Sequence, residues 1–230
     1  MIEIKLSGFE TKLILNIQKP LILCIENINL FRKITEDIII EKKFNLESNE
    51  IAFWEDLERI SLYRKADVII DFIQIDLLST SRKNRIYKHI SNSIQKTYPD
   101  AFKNLDASLK SIYNIIEDTV LDIDLPLILD PNYDLEKVIK LFNIQFHQER
   151  EYSLIDNIYA YIDFISLFDL YEFVFMVNLS NYVEKQELQN IVNYGISKQL
   201  NIIYLENKKI TTDITKTIHI DQDYYYEEIE

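Results

Sequence analysis

The chain has 230 residues, of which 47% are hydrophobic, and it carries a formal net charge of −13. This much apolar material excludes a disordered chain, and the overall charge argues against nucleic acid as a partner, because binding to phosphates depends on Lys and Arg. The single cysteine, Cys24, cannot form an internal disulfide, and no apolar run is long enough to span a membrane. We therefore expect a cytoplasmic protein.

The first third of the chain predicts strands and one helix. A hairpin is expected around Gly8, followed by a buried strand in "LILCIEN" that contains Cys24. The segment "NLFRKITEDIII" predicts a helix with Asn27 or Asn29 near its start, and 66–72 predicts another short strand.

Helical spacing replaces strand patterns between Ser79 and Leu121. Ile86, Ile90 and Ile94 recur every fourth residue, and a second run of apolar residues follows at intervals of three or four. Pro99 separates the two runs, and Asp100 can cap the second. This pattern predicts a helical hairpin inserted between strands.

The last half alternates strands with helices, which indicates a mostly parallel sheet covered by helices. Strands are expected in "DIDLPLILD", at the end of "NYDLEKVIKLFNIQF", and in "EFVFMVN", "NIIYLEN" and "KTIHI", and "SLIDNIYAYIDFISLF" predicts a buried helix. The fold class is α/β, with a head formed by 1–76 and 122–230 and an inserted α-helical leg at 77–121.

The turn after "EFVFMV" stands where many α/β proteins hold a phosphate. A Walker-type loop needs glycines and a lysine, and this turn has neither, so ATP hydrolysis is not expected. Ser180 or Asn181 can instead cap the next helix, with Glu184 completing a capping box.

A local basic segment interrupts the acidic chain. Arg85, Lys88, Asn92 and Lys96 share one face of a helix, a spacing that suits a row of phosphate contacts without base reading. A solvated helix face is the alternative. The candidate DNA-binding residues are Arg82, Lys83, Arg85, Lys88 and Lys96.

An acidic cluster follows the basic segment, and Asp130 lies a few residues beyond its core. Carboxylate oxygens are the ligands that hard cations such as Ca²⁺ require. No EF-hand loop is present, so acids on a solvated surface are the alternative. The candidate metal ligands are Glu117, Asp118, Asp122 and Asp124.

A metal-dependent nuclease is an alternative function. Glu206 and Lys208 stand at the end of a predicted strand, as in nucleases that pair such residues with an upstream Asp. No convincing Asp stands on the strand before them.

Four segments resemble, in order, the type II-A CRISPR-associated adaptation protein of the Csn group. They are "ENINLFRKI", "ADVIIDFIQIDLLST", "EFVFMVNLSNYVEKQELQNIVNYGISKQLNIIYLENK" and "IHIDQDYYYE". In the third, a strand ending in Val-Asn leads to a capped helix and then to a strand ending in Leu-Glu. The fourth resembles the family's C-terminal Asp-acid-Tyr signature.

The resemblance implies an α/β head related to P-loop ATPases without Walker motifs, and an elongated helical leg. It implies a homotetrameric ring whose basic inner surface encircles double-stranded DNA and prefers free ends, with calcium held by acids near the head–leg junction. It implies a role in spacer acquisition with the CRISPR integrase pair and the RNA-guided effector nuclease, and no catalytic activity. Here the junction has Pro126 and an apolar run in place of further acids.

A pure protein–protein adaptor is a third possible function, besides the DNA-binding ring and the nuclease.

Overall fold

A computed structural model describes residues 2–10, 12–77, 79–123, 125–130, 134–145 and 153–229. The chain divides into two compact units, an α/β unit of 1–77 with 150–230 and a helical unit of 78–149. The helical unit extends beyond residue 121, which was the predicted last residue of the helical leg. The cause is a short helix containing Leu135 and Ile139, which pack with Tyr87 in the same small core.

An antiparallel sheet of the α/β unit has the strand order β2-β1-β4-β5. Its strands are β1 (Ile2–Leu6), β2 (Lys12–Ile14), β4 (Ile51–Glu55) and β5 (Glu58–Ile60). The predicted hairpin around Gly8 is confirmed, because β1 and β2 pair and Gly8 has a positive φ of 81°. The sequence prediction missed β4 and β5, although Ile51 and Phe53 alternate inward as a half-buried strand requires.

The second sheet is mostly parallel, as predicted, and has the order β10-β9-β3-β8-β7-β6. Its strands are β3 (Leu21–Ile25), β6 (Ala66–Ile69), β7 (Phe173–Val177), β8 (Ile202–Glu206), β9 (Lys216–Ile220) and β10 (Tyr226–Ile229). Only β10 among them runs antiparallel to its neighbour, at one edge. β3, β7 and β8 are buried at every residue, as strands covered on both faces should be.

Three helices belong to the α/β unit: α1 (Ile28–Phe44), α5 (Leu154–Leu167) and α6 (Lys185–Ser197). Asn27 is the N-cap of α1, as one of the two predicted caps, and its side chain accepts a hydrogen bond from the Leu30 N–H. α1 buries Leu30, Ile34 and Ile38 in the core that the two sheets share. α5 buries Ile158, Tyr161, Ile162, Phe164 and Ile165 on one side, while Asp156, Asp163 and Leu167 on the other side are exposed, so the predicted burial holds for one side only.

The helical unit contains α2 (Thr80–Thr97), α3 (Pro99–Leu121) and α4 (Leu135–Lys140). The predicted helical hairpin is confirmed, and Pro99 occupies the first position of α3, where its missing N–H costs nothing. Asp100 is not the cap of α3, because Tyr98 holds that position without a side-chain hydrogen bond.

Two predicted strands are not found. The described residues 125–130 of "DIDLPLILD" form no strand, and Leu125, Leu127 and Ile128 are exposed. The strand expected after α4 is absent at 144–145, and its remainder lies outside the described residues. No helix among the described residues is long and apolar enough to cross a membrane.

Candidate nucleic-acid interface

The helix α2 concentrates positive charge. It carries five basic residues and no acidic one. Lys88 and Lys96 are exposed and Arg85 is partly exposed, all on the side of the helix away from Ile90. Lys83 is also partly exposed, but its helical phase is that of Ile90 and Ile94. The structure therefore places four of the five predicted DNA-binding side chains where a ligand can reach them.

Arg82 differs from the other four basic residues of α2. Its side chain belongs to the buried face, with 7% exposure, because it precedes the buried Ile86 by one helical turn. Arg82 therefore offers a phosphate less surface than the other four basic residues of α2. The spacing of Arg82, Ile86 and Ile90 already contained this information.

The predicted metal ligands lie at the C-terminal end of α3. Glu117, Asp118 and Asp122 are exposed, and Asp124 lies outside the described residues. Asp118 and Asp122 are four positions apart and share a helix face. Glu117 accepts a 3.3 Å hydrogen bond from the Tyr113 hydroxyl, and partial desolvation together with this carboxylate raises the pKa of Tyr113.

These acids do not form a metal site by themselves. Within the described ranges, no three His, Cys, Asp or Glu side chains come together as a metal ion would require. The described acids carry oxygen ligands of the chemistry that calcium requires, without bringing three of them together.

The turn after β3 is short, and an asparagine caps the helix that follows it. Only Glu26 and Asn27 separate β3 from α1. The side chain of Asn27 accepts from the Leu30 N–H at 3.1 Å and donates to the Gln222 carbonyl at 2.9 Å. A helix N-terminus binds anions through its free N–H groups, and here the asparagine satisfies one of them and covers the approach.

The turn after β7 is closed in another way. Ser180 does not cap α6, contrary to the prediction. Its N–H and hydroxyl both donate to the carboxylate of Glu206. The helix α6 is capped by Glu184, whose backbone N–H donates to the Glu187 side chain in a capping box. Glu184 and Glu187 are three positions apart, a spacing that was visible in the sequence.

The nuclease alternative also fails at this turn. Glu206 is 1% exposed, and burial raises the pKa of its carboxyl group even though Ser180 donates to it. Lys208 is committed to the Ser180 carbonyl at 3.2 Å and to Asn181 Oδ1 at 3.0 Å. A catalytic carboxylate needs an open position for metal or water, and Glu206 has none.

Cys24 is buried, as predicted. Burial raises the pKa of its thiol to about 12, so the nucleophilic thiolate is not populated at neutral pH.

The fold and the site define a class of protein. Proteins of this class have a mostly parallel α/β sheet without phosphate-binding loops after β3 and β7, and a helical unit that carries a basic face. The family described as CRISPR-associated protein (Cas_Csn2) matches residues 43–224, which is most of the chain. The chain belongs to this family.

A solved structure supports the same fold. The crystal structure of Stu0660 of Streptococcus thermophilus aligns with a TM-score of 0.56 and 10% sequence identity. The alignment covers 99% of this chain and 76% of that one. No curated protein in the comparison matches the chain.

Proposed function

We propose that this CRISPR-associated protein is a non-enzymatic, homotetrameric ring that binds double-stranded DNA without sequence preference and favours DNA ends. Its role is spacer acquisition together with the CRISPR integrase pair and the RNA-guided effector nuclease in the cytoplasm. The observation that carries the proposal is the charge of α2, which has five basic residues and no acidic one in a chain of net charge −13.

Binding through phosphate contacts follows from the kind of side chains on α2. Lys88, Lys96, Lys83 and Arg85 are cations at the surface of one helix, with the polar Asn92 among them. Contacts of cations with phosphates give affinity that falls steeply with salt and reads no bases. Four copies would bring these charges to one duplex and would offset the acidic remainder of the chain.

Self-association is supported by α3. None of its described residues is buried, and Ile112 and Ile115 are 53% and 64% exposed. Phe102 and Leu105, near the start of the helix, pack on the small core of the helical unit. The rest of the helix shows apolar side chains at helical spacing to solvent. Such a face needs a partner, and a second copy of this chain supplies it in a ring.

Calcium is a further part of the proposal, drawn from the family resemblance. The ligands would come from Glu117, Asp118 and Asp122, together with Asp124, which is not described. The relation of the head to P-loop ATPases is likewise proposed, and the parallel strands, each followed by a helix at β3 and β7, support it.

Size-exclusion chromatography with light scattering, with and without Ca²⁺, tests the assembly. We expect a mass of four chains, stabilised by Ca²⁺. A monomer under both conditions would overturn the ring. If neither the mass nor the thermal stability changes over a Ca²⁺ titration, calcium is not part of the assembly, and the proposal of a ring still stands.

A gel-shift comparison of linear and covalently closed circular DNA of the same sequence tests the mode of binding. We expect the linear form to bind better and the binding to weaken as salt rises. Equal, salt-insensitive binding of both forms would contradict a ring threaded over ends. Failure to bind either form at low salt would favour the adaptor alternative.

A further inference from the structure

The three consecutive tyrosines near the C-terminus have different environments. Tyr226 is partly buried, and its ring packs on the core beside Phe9 at a centroid distance of 6.1 Å. Tyr224 and Tyr225 are 53% and 68% exposed. One ring therefore covers the edge of the sheet, and the other two have no packing role that would explain them.

The turn of residues 221–225, which we name the tyrosine turn, is fixed by its own hydrogen bonds. Asp221 Oδ1 accepts from the N–H groups of Asp223 and Tyr225, both at 2.8 Å. The Asn27 side chain donates to the Gln222 carbonyl and thereby joins the turn to the start of α1. Binding of a partner to the two exposed rings would therefore cost little conformational entropy of the backbone of the turn.

The residue that bonds to the tyrosine turn, Asn27, is followed in the chain by an exposed apolar side chain. Ile28 directly follows Asn27 and is 78% exposed at the first position of α1. Two tyrosines and an isoleucine are thus exposed on the two segments that this hydrogen bond joins, and aromatic residues are enriched in the buried centres of protein interfaces.

The charged residues of the two joined segments are all acidic, and one of them, Glu26, lies 3.0 Å from Nε2 of His219. Glu26, Asp221 and Asp223 lie within the two segments 26–28 and 221–225, which contain no Lys or Arg. Two lysines that precede the tyrosine turn in the chain are paired: Lys209 Nζ lies 2.7 Å from Glu227 Oε2, and Lys216 pairs with Glu228. A DNA phosphate would be repelled here, whereas a cationic side chain would be attracted.

We propose that the tyrosine turn and Ile28 form a docking surface for an arginine-rich segment of a partner protein. The carboxylates attract the positive charge, and the exposed rings accept guanidinium groups on their faces. Arginine is favoured over lysine because its planar, weakly hydrated group stacks on an aromatic ring. This surface is distinct from the basic face of α2, and the proposal holds whether or not α2 binds DNA.

Fluorescence anisotropy with a labelled oligo-arginine peptide tests the proposal on the full-length protein. We expect Tyr224→Ser/Tyr225→Ser to weaken binding by about fivefold or more, because each lost cation–π contact is worth about 0.5–1 kcal/mol at an exposed site. Tyr98→Ser is the control, since Tyr98 is an equally exposed tyrosine of the helical unit. It should bind like the unmodified protein, and an oligo-lysine peptide of equal length should bind less tightly and discriminate less between the variants.

Equal binding of the peptide by the unmodified protein and by the double variant would overturn the proposal. A fall in molar mass of the double variant in light scattering would also overturn it, because a second copy would then cover this surface. DNA binding of the double variant should remain unchanged. A loss of DNA binding would assign the surface to nucleic acid instead.

Discussion

The hydroxyl of Ser180 donates a 2.6 Å hydrogen bond to Oε2 of Glu206, and the N–H of Ser180 donates to Oε1 at 3.1 Å. The register that pairs Val177 with Leu205 places the ends of β7 and β8 side by side and makes this contact possible. The contact joins the residues that follow β7 to the end of β8, and it gives Glu206 a structural role.

Replacement of Glu206 by Gln should change the pH dependence of stability. Burial raises the pKa of Glu206 in the folded state above its ordinary value, about 4.3 in the unfolded chain. As pH rises through this interval, the unfolded state releases its proton first, so the wild type loses stability. Glu206→Gln has no proton to release, and Ser180 can rotate its hydroxyl to accept from the new amide.

Urea unfolding of both proteins at a series of pH values measures this effect. The free energy of unfolding of Glu206→Gln, minus that of the wild type, should increase from about pH 4 upward and then level off above the folded-state pKa. A difference that stays constant with pH would show that Glu206 ionises equally in both states.

The sequence predicted the elements whose signals are local. Asn27 as a cap, Pro99 at a helix start and the buried strand around Cys24 depend on neighbouring residues alone. The contact between Ser180 and Glu206 joins residues far apart in the chain, so no local pattern could indicate it. The exposed run at 125–130 shows the reverse error: its β-branched and apolar composition favours a strand, and the structure offers it no sheet neighbour.

The candidate interface was predicted from charge clustering, which does not record helical phase. Arg82 was included among the candidate DNA-binding residues because it is next to Lys83 in the sequence. In the structure, Arg82 lies on the buried face of the helix. The sequence indicates which helix is basic. Which of its cations share the buried face follows from their spacing relative to Ile86 and Ile90, which a count of charges ignores.

Substitutions on α2 should separate DNA binding from stability. Lys88→Ala and Lys96→Ala remove exposed cations, so DNA affinity should fall and the slope of log K against log salt should decrease by about 0.9 for each lost phosphate contact. Stability should change by less than about 0.5 kcal/mol.

Arg82→Ala should do the opposite. It removes a buried stem and should destabilise the protein by about 1–3 kcal/mol, while the folded protein keeps its DNA affinity. DNA titrations at several salt concentrations and urea unfolding measure the two effects. If Arg82→Ala loses as much DNA affinity as Lys88→Ala, Arg82 contributes to DNA binding after all.

Substitutions on the exposed face of α3 should dissociate the ring. Ile112→Ser and Ile115→Ser replace apolar side chains that are 53% and 64% exposed, so the monomer should be destabilised only slightly. Light scattering should show a smaller mass for the double variant, with an unchanged circular dichroism spectrum. Ile40→Ser, at an exposed isoleucine of α1, is the control. A tetramer that persists in the double variant would place the subunit contacts elsewhere.

Gly195 allows α6 to approach β8 closely. A Cβ at this position would lie 2.7 Å from Cδ1 of Ile202, inside the contact distance of two carbon atoms. Gly195→Ala should therefore lower the free energy of unfolding by about 1–3 kcal/mol, despite the higher helix propensity of alanine.

A double variant that combines Gly195→Ala with Ile202→Val tests whether Cδ1 of Ile202 is the cause of this destabilisation. Valine lacks Cδ1, and by itself the change should cost about 0.5–1.5 kcal/mol. In the double variant the removed methyl group leaves room for the alanine Cβ, so its destabilisation should be clearly smaller than the sum of the two single effects. Urea unfolding of the four proteins measures this coupling. Additive effects would mean that Gly195 is required for some reason other than the approach of Ile202.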